Sequence, residues 1–367
     1  MARFAVCSLV RMDPATLRAE FPVFEQFAYL NAGTCGPLPS AALTAAARVA
    51  GLGAERGRGG AYFETMLDGR TRLREAYAAR LGARSDDVAL TTCTSEGIVR
   101  VLGALDLAAG DEVLTSDEEH PGLQGPLAAA RDQRGIVVCA VPFAEVAASV
   151  GPQTKLVACS HVSWANGRIG DLNGLDVPVL LDGAQGVGAI PIDVAALGCA
   201  FYAGSGQKWL CGPIGTGMLW ISPDWSERLP APGPTYMNLE IPGAGLDAVP
   251  RQDAARHDTS ALSPESVAGA LATLEMLGGF GWPAVHERAA GLAAQLADAL
   301  SERGREVAPR DRTTLVSWKD ADPLATRGRL ADAGVIIRDL PGTGLLRASV
   351  GAWNDESDLD RLLSALP

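Results

Sequence analysis

Short apolar runs alternate with stretches of helical periodicity from about residue 64 to residue 220. Strands that alternate with helices favour a parallel or mostly parallel sheet covered by helices on both faces, so we predict an α/β fold. The predicted helices are Glu64–Leu81, Glu96–Leu107 and Gly122–Arg134. The predicted strands are Val88–Thr92, Glu112–Ser116, Ile136–Val141, Lys155–Ser160, Val177–Leu181, Ala200–Gly204 and Gly217–Ile221.

The rest of the chain differs in pattern from this alternating region. Residues 222–260 are rich in Pro and Gly and predict a long surface loop. The predicted elements after this loop are helices Pro264–Leu277, Trp282–Arg303, Pro323–Ala333 and Glu356–Leu366, and strands Thr313–Trp318, Val335–Arg338 and Leu345–Val350. We therefore expect a large domain over residues 31–281 and a smaller C-terminal α+β domain over residues 282–367, with residues 1–30 packing on the small domain.

Charge and cysteine content narrow the possible partners. The formal net charge is -12, which disfavours binding to nucleic acid or to an anionic membrane. No apolar run is long enough to span a bilayer, and Met1–Val10 is too short for a signal peptide, so we expect a cytoplasmic protein. The seven cysteines are scattered and never form a CxxC pair. We therefore expect reduced thiols and no metal site.

Two segments carry the strongest chemical signal. The first is Leu180-Leu181-Asp182-Gly183-Ala184-Gln185, where an acid ends a buried apolar run. A buried carboxylate is costly unless paired, and open α/β sheets bind ligands at the carboxyl ends of their strands, although such an Asp can also cap a helix. The second places Lys208 in the Gly-rich stretch Ser205-Gly206-Gln207-Lys208. Burial lowers a lysine pKa, as an imine-forming lysine requires.

Together these segments resemble the class V aminotransferase and cysteine desulfurase group of pyridoxal phosphate (PLP) enzymes, which have fold type I. The shared pattern is Asp-Gly-Ala-Gln followed by Ser-Gly-x-Lys-x-x-x-Gly-Pro-x-Gly, and the resemblance extends from Tyr29 to Leu363. It implies a homodimer, PLP as cofactor, and a small amino-acid substrate. In this resemblance Lys208 is the catalytic lysine that binds PLP, Asp182 pairs with the pyridinium nitrogen, and Gln185 bonds the phenolic oxygen.

The resemblance also implies residues that hold the phosphate and cover the cofactor ring. Thr94 and Ser95 lie in a strand-to-helix turn that matches the family's phosphate-binding turn, although the family usually has Gly where Cys93 stands. His120 matches the aromatic residue that stacks on the ring and can exchange protons. The remaining expected phosphate contacts are Ser205 and Gln207, where the family often has His, and Thr259 or Ser260 from the partner subunit.

Substrate contacts are implied near both ends of the chain. Leu346-Arg347-Ala348-Ser349 matches the segment whose arginine grips the substrate carboxylate, for which a guanidinium fork is well suited. Asn31 and Gly33 lie in the matching N-terminal substrate loop. Trp164 stands where the family often has Asn or Thr and could shape the pocket. Arg338 and Asp339 lie close to Arg347 in sequence, and one of them could bind a second polar group on a larger substrate.

The reaction is less constrained than the cofactor. Desulfurases place a nucleophilic cysteine shortly before the carboxylate-binding arginine, and Ile337–Gly344 contains none. Cys35, in the N-terminal loop, is better interpreted as a buried thiol than as a substitute nucleophile. We expect β-elimination from a cysteine S-conjugate. The alternatives are transamination, epimerisation, and decarboxylating deamination of an S-conjugate in natural-product biosynthesis. A non-catalytic binding module would not need Lys208, Asp182, Gln185 and Arg347 together.

Overall fold

The computed structural model describes residues 13–367. Its first elements are α1 (Pro14–Ala19), β1 (Ala28–Tyr29), α2 (Ser40–Arg56) and α3 (Gly60–Leu81). The sequence predicts most of α3 but does not assign α2. Only Ala42 and Val49 of α2 are fully buried, so its apolar stripe is too narrow to give a clear helical period.

A seven-stranded sheet forms the centre of the larger part of the chain. Its strands are β2 (Val88–Thr91), β3 (Glu112–Ser116), β4 (Val137–Val141), β5 (Thr154–Ser160), β6 (Val179–Asp182), β7 (Phe201–Ser205) and β8 (Gly217–Ile221). Their order in the sheet is β2-β8-β7-β6-β5-β3-β4. Every neighbouring pair is parallel except those of β8, which runs antiparallel to both β2 and β7. The predicted α/β class with a mostly parallel sheet is confirmed. Helix α4 (Thr94–Ala104) follows β2, and helix α5 (Pro121–Arg134) follows β3.

Helices cover both faces of this sheet. On one face α3 packs beside a later helix, α7 (Pro264–Phe280), against strand residues that include Val88 and Leu90. On the other face α4 and α5 pack against Ala89 and its neighbours. Successive strand residues point to opposite faces, so both faces of each inner strand are apolar. This is why the strands read as continuous apolar runs rather than as alternating patterns.

The Pro- and Gly-rich segment between β8 and α7 forms mostly loops and short turns, with one short helix, α6 (Pro223–Ser226). Its end is anchored by Asp258, which is 2% exposed. This carboxylate pairs with Arg70 and Arg74 of α3 at 2.8 and 2.7 Å and accepts a hydrogen bond from the Leu90 N–H at 2.8 Å. The loop is therefore tied directly to β2.

The C-terminal part is an α+β unit. Its elements are α8 (Trp282–Glu302), β9 (Leu315–Lys319), α9 (Pro323–Asp332), β10 (Val335–Ile336), β11 (Arg338–Leu340), β12 (Leu345–Ser349) and α10 (Glu356–Ala365). β11, β12 and β9 form an antiparallel sheet, while β10 pairs in parallel with β1. The single strand predicted over 335–338 is therefore wrong. The chain changes partner at Ile337, and a local apolar pattern does not reveal which sheet a strand joins.

The N-terminal segment contacts this C-terminal unit. Arg18 of α1 pairs with Asp355 and Asp358 at 3.2 and 2.6 Å, and Phe21 packs on Trp353 with ring centroids 5.3 Å apart. Of the segment 1–30, residues 1–12 lie outside the described residues. Within 13–367, no helix is both long enough and apolar enough to cross a membrane.

Candidate active site

Polar side chains gather where the parallel strands of the central sheet end. Asp182 ends β6, Ser205 ends β7, Ser160 ends β5 and Ser116 ends β3. Because parallel strands end at one edge of a sheet, these residues share that edge. Lys208 follows β7 by three residues, and the helices α4 and α5 begin at the same edge.

Asp182 is a buried carboxylate with few protein donors. It is 6% exposed, and its Oδ1 accepts a hydrogen bond from the Ala184 N–H at 2.9 Å. No donor among residues 13–367 bonds its Oδ2. Burial raises the pKa of Asp182, and the nearby Lys208 opposes that shift. A buried acid of this kind is suited to pairing with a cationic group of a ligand.

Lys208 is half-buried beside the N-terminal loop. Burial lowers its pKa to about 8, with Asp182 opposing the shift and Arg347 adding to it. The loop is close because the Gly36 N–H donates to the Gln207 carbonyl at 2.8 Å. A Cβ at position 36 would lie 2.1 Å from the Lys208 carbonyl oxygen, so only glycine fits there. A lysine with this pKa is partly neutral near pH 7.5 and can act as a nucleophile or a base.

The turn between β2 and α4 is bonded to the end of β7. Thr94 is the first residue of α4, and its N–H donates to Ser205 Oγ at 3.0 Å, while the two hydroxyl groups lie 2.7 Å apart. Cys93 has φ of -168°, an extended conformation open to any residue, so the absence of the family's glycine does not disturb the turn. The first N–H groups of α4 make this turn suited to an anion.

His120 caps the N-terminus of α5. Its Nδ1 accepts a hydrogen bond from the Gly122 N–H at 3.0 Å, so the neutral ring carries its proton on Nε2. Burial and the charge of Lys208 lower its pKa to about 4. The Trp164 ring meets it edge-on, with centroids 5.0 Å apart. Ser95 is adjacent, since a Cβ at Gly122 would lie 2.5 Å from Ser95 Oγ.

The two glutamines near Lys208 have different surroundings. Gln185 is buried, with its Nε2 donating to the Gly33 carbonyl at 2.8 Å and its Oε1 accepting from Trp209 Nε1 at 2.9 Å. Gln207 has a buried Oε1 with no hydrogen-bond partner among the described residues. Gln185 thus joins the N-terminal loop to the lysine segment, and Gln207 keeps an unused acceptor beside Lys208. The sequence motifs do not predict the hydrogen bond that Trp209 donates to Gln185.

Arg347, on β12, is 1% exposed and has no acidic partner within 4 Å in the described part of the chain. Its Nη1 donates to the Trp164 carbonyl at 2.7 Å, and its Nε is buried without a partner. Burial lowers its pKa to about 9, and the neighbouring Arg338 adds to the shift. A Cβ at Gly33 would lie 3.0 Å from Arg347 Nη2. An unpaired buried guanidinium of this kind is suited to binding a carboxylate.

Two polar residues of the site are not identified by the sequence. Thr34 Oγ1 donates to Asn31 Oδ1 at 2.8 Å and accepts from Arg338 Nη1 at 3.2 Å and from Arg347 Nη2 at 3.4 Å. Glu119, 2% exposed, accepts from Ser160 N–H and hydroxyl at 3.0 and 2.6 Å. Burial raises the pKa of Glu119 to about 7. Both residues stand in segments that the motifs cover, yet nothing in the motifs singles them out.

The structure brings most of the predicted site residues together, with two neighbouring residues as the exceptions. Thr259 and Ser260 lie beside β2, where the Thr259 N–H donates to the Leu90 carbonyl at 2.8 Å and both carbonyls accept from Arg70. Neither hydroxyl bonds another predicted site residue among residues 13–367. Their predicted role belongs to the partner subunit's site and stays a prediction.

The Aminotransferase class-V family model matches residues 60–362. Isopenicillin N epimerase of Amycolatopsis lactamdurans is 30% identical over 380 residues, covering 92% of this chain and 94% of the relative. Cysteine desulfurase CsdA of Escherichia coli is 27% identical over 392 residues, covering 96% and 97%. A solved complex between the cystine C-S lyase C-DES and its product cysteine persulfide has a TM-score of 0.86 at 26% identity, covering 94% of this chain and 98% of that one.

Proposed function

Because the chain belongs to the class-V aminotransferase family of PLP enzymes that act on amino acids, we propose that it releases a thiol from a cysteine S-conjugate by β-elimination. The overall conversion consumes one water and yields the thiol, pyruvate and ammonium. The observation that carries the proposal is the short, cysteine-free connection between β11 and β12.

The residues present fit PLP. The free Oδ2 of Asp182 suits a protonated pyridine nitrogen. The start of α4, bonded to Ser205, suits a phosphate. Lys208 has the lowered pKa that covalent binding of a carbonyl requires. The residues that would hold the cofactor are Lys208, Asp182, Gln185, His120, Thr94, Ser95, Ser205 and Gln207.

Bound PLP supplies an electron sink for the electron pair released when the substrate Cα loses its proton. Lys208 Nζ accepts that proton, which its pKa of about 8 allows near neutral pH. The Cβ–S bond then breaks, sulfur leaves with the bonding pair, and the thiolate takes up a proton. Neutral His120, with its proton on Nε2, can donate a hydrogen bond to the departing sulfur.

The connection between β11 and β12 argues against a persulfide mechanism. Only residues 341–344 join the two strands, and they read Pro-Gly-Thr-Gly. The turn is closed by a Thr343 N–H to Leu340 carbonyl hydrogen bond of 3.2 Å. These four residues contain no thiol. Elimination needs no cysteine nucleophile, and the cystine C-S lyase neighbour is named for that type of cleavage.

Epimerisation is the second candidate. Its support is the 30% identity to an isopenicillin N epimerase over nearly the whole of both chains. Both reactions begin with removal of the Cα proton, so Lys208 would act in each. They differ in the next step, since epimerisation returns a proton to Cα and keeps the Cβ–S bond. Transamination and decarboxylating deamination, the latter in a natural-product pathway, are further alternatives within the family.

A homodimer is part of the same proposal. The loop after β8 exposes large apolar side chains, among them Ile241 at 68% and Leu246 at 106%. Exposed apolar groups on one segment suit a subunit contact. Thr259 and Ser260, at the end of this loop, would then complete the partner's phosphate site. The chain's charge and thiols are consistent with a cytoplasmic location, which stays a prediction.

The test is product analysis of the holoenzyme with a panel of cysteine S-conjugates by mass spectrometry. Thiol and pyruvate in equal amounts would support elimination. Formation of the D-configured conjugate without release of thiol would contradict elimination and indicate epimerisation. Release of CO2 would indicate decarboxylating deamination, and amination of an added keto acid would indicate transamination.

Two variants sharpen this test. Lys208→Ala should abolish turnover and the cofactor absorbance of the covalent complex, and an unchanged spectrum would refute the assignment of Lys208. Cys35→Ala should leave thiol release intact, because the proposal uses no thiol. Loss of activity in Cys35→Ala with normal cofactor binding would point to a persulfide mechanism instead.

A further inference from the structure

Two arginines stand directly opposite each other at the active site. Arg338 on β11 and Arg347 on β12 are cross-strand partners in the antiparallel sheet. Like charges in that position repel each other and destabilise the strand pair. Neither has an acidic partner within 4 Å among residues 13–367. The neighbouring Asp339 instead pairs with Arg327.

The two guanidinium groups share one hydrogen-bond acceptor, and it is a neutral hydroxyl. Thr34 Oγ1 accepts from Arg338 Nη1 at 3.2 Å and from Arg347 Nη2 at 3.4 Å, and gives its own proton to Asn31. That bond is the only one that the Arg338 side chain donates within the described chain. Arg347 keeps a buried Nε without a partner. The site therefore holds two positive charges and several free donors, and its only common acceptor is uncharged.

Other charges at the site do not offset this pair. Asp182 faces Lys208 and the expected position of the pyridinium nitrogen, and His120 is neutral at pH 7 because its pKa is about 4. The α-carboxylate of an amino acid would neutralise one arginine and leave the other uncompensated. A buried or half-buried charge without a partner is costly, so the arrangement calls for a second anion.

We propose that the natural substrate carries a second anionic group, a carboxylate on the thiol-derived side chain, which Arg338 binds while Arg347 holds the α-carboxylate. The identity of that substrate as an S-conjugate rests on the proposed function, whereas the need for a second anion rests on the arginine pair alone. Trp164, whose ring lies 6.0 Å from the Arg347 guanidinium, borders the same region.

The test uses a matched pair of ligands that differ only in charge. These are S-(2-carboxyethyl)-L-cysteine and its amide, S-(2-carbamoylethyl)-L-cysteine. Dissociation constants are measured from the change in cofactor absorbance of the holoenzyme, and thiol release is measured separately. The acid should bind more tightly than the amide by about 10- to 100-fold, the range expected for a charge-assisted bidentate contact.

Two variants of Arg338 and one control variant locate the effect. Arg338→Gln should reduce the acid-to-amide preference to about threefold or less, while Arg338→Lys should keep part of it. Arg327→Gln is the matched control, because it also removes one positive charge close in sequence but at a surface pair outside the site, and it should keep the full preference. Circular dichroism verifies that each variant is folded. If Arg338→Gln fails to fold, the acid-to-amide preference is measured with Arg338→Lys instead.

Each outcome supports or overturns the inference. Equal binding of acid and amide by the wild-type enzyme overturns it, as does a preference that survives Arg338→Gln. Weaker binding of both ligands to the same extent in Arg338→Gln would mean that both arginines grip one α-carboxylate, which also overturns it. Tight, Arg338-dependent binding of the acid without thiol release would sustain the second-anion site and refute β-elimination. Thiol release from both ligands, bound with equal affinity, would support β-elimination and refute the second-anion site.

Discussion

Replacing Asp258 with alanine should both destabilise the protein and weaken cofactor binding. The carboxylate is 2% exposed and accepts from Arg70, Arg74 and the Leu90 N–H at 2.7 to 3.0 Å. The side chains of Arg70 and Arg74 are only 6% and 15% exposed. Alanine would leave two largely buried cations and one buried N–H without their partner.

The expected cost is about 3–5 kcal/mol, the range for removing one member of a buried ion pair. Asp132→Ala is the matched control, because Asp132 pairs with Arg131 at a similar distance of 2.8 Å but both side chains are more than half exposed. An exposed pair contributes about 0–1 kcal/mol. Asp258→Asn should fall between the two, since it keeps an acceptor for Leu90 but loses the charge.

Urea unfolding followed by tryptophan fluorescence measures the free energy of unfolding, with m-values compared to detect a change in cooperativity. Cofactor affinity is measured in parallel. It should fall because Asp258 and the Thr259 N–H bond both hold Leu90, four residues before the turn at Thr94 that we expect to bind the phosphate. If Asp258→Ala unfolds at the same urea concentration as Asp132→Ala, the argument from buried charge is wrong.

Three further predictions concern the site itself. Because burial lowers the pKa of Lys208 to about 8, covalent loading of PLP onto apoprotein should accelerate as pH rises, with its half-rise near pH 8. A half-rise near pH 10.5 in stopped-flow absorbance would contradict this. Burial raises the pKa of Glu119 from 4.5 to about 7, so its folded state binds an extra proton between these values and loses stability as pH rises through them. The melting temperature of Glu119→Gln minus that of wild type should therefore increase from about pH 5 to about pH 8, and a constant difference would exclude this titration. Gly33→Ala would place a methyl 2.8 Å from Ser349 Oγ and 3.0 Å from Arg347 Nη2, so KM for amino-acid substrates should rise about tenfold, or about 1.4 kcal/mol. An unchanged KM would contradict the expected displacement of Arg347 from the substrate carboxylate.

Most of the central sheet could be predicted because its strands are buried on both faces. Runs such as Glu112–Ser116 and Gly217–Ile221 are bounded as expected, since continuous apolar residues mark such strands without any need for alternation. Helix α2 has no comparable signal. The prediction over 335–338 is wrong because pairing with β1 or with β12 depends on segments far away in the sequence.

The site could be predicted only as far as motifs reach. Asp182 and Lys208 stand in a recognisable pattern, and the rule that ligands bind at the carboxyl ends of strands places them together. Thr34 and Glu119 could not be found, because their roles arise from distant partners. The hydroxyl of Thr34 contacts Arg338 and Arg347, which lie 304 and 313 residues further along the chain.

The sequence by itself determined the fold class and the cofactor family and predicted the residues of the site, because apolar runs and short motifs are local properties of the chain. Only the tertiary structure decided which of those residues act on one another. Strand register set Arg338 opposite Arg347, and the N-terminal loop brought Thr34 between them. Burial then shifted the pKa values of Lys208 and Glu119. Register, loop approach and burial depend on contacts between distant segments, and for that reason no local pattern encodes them.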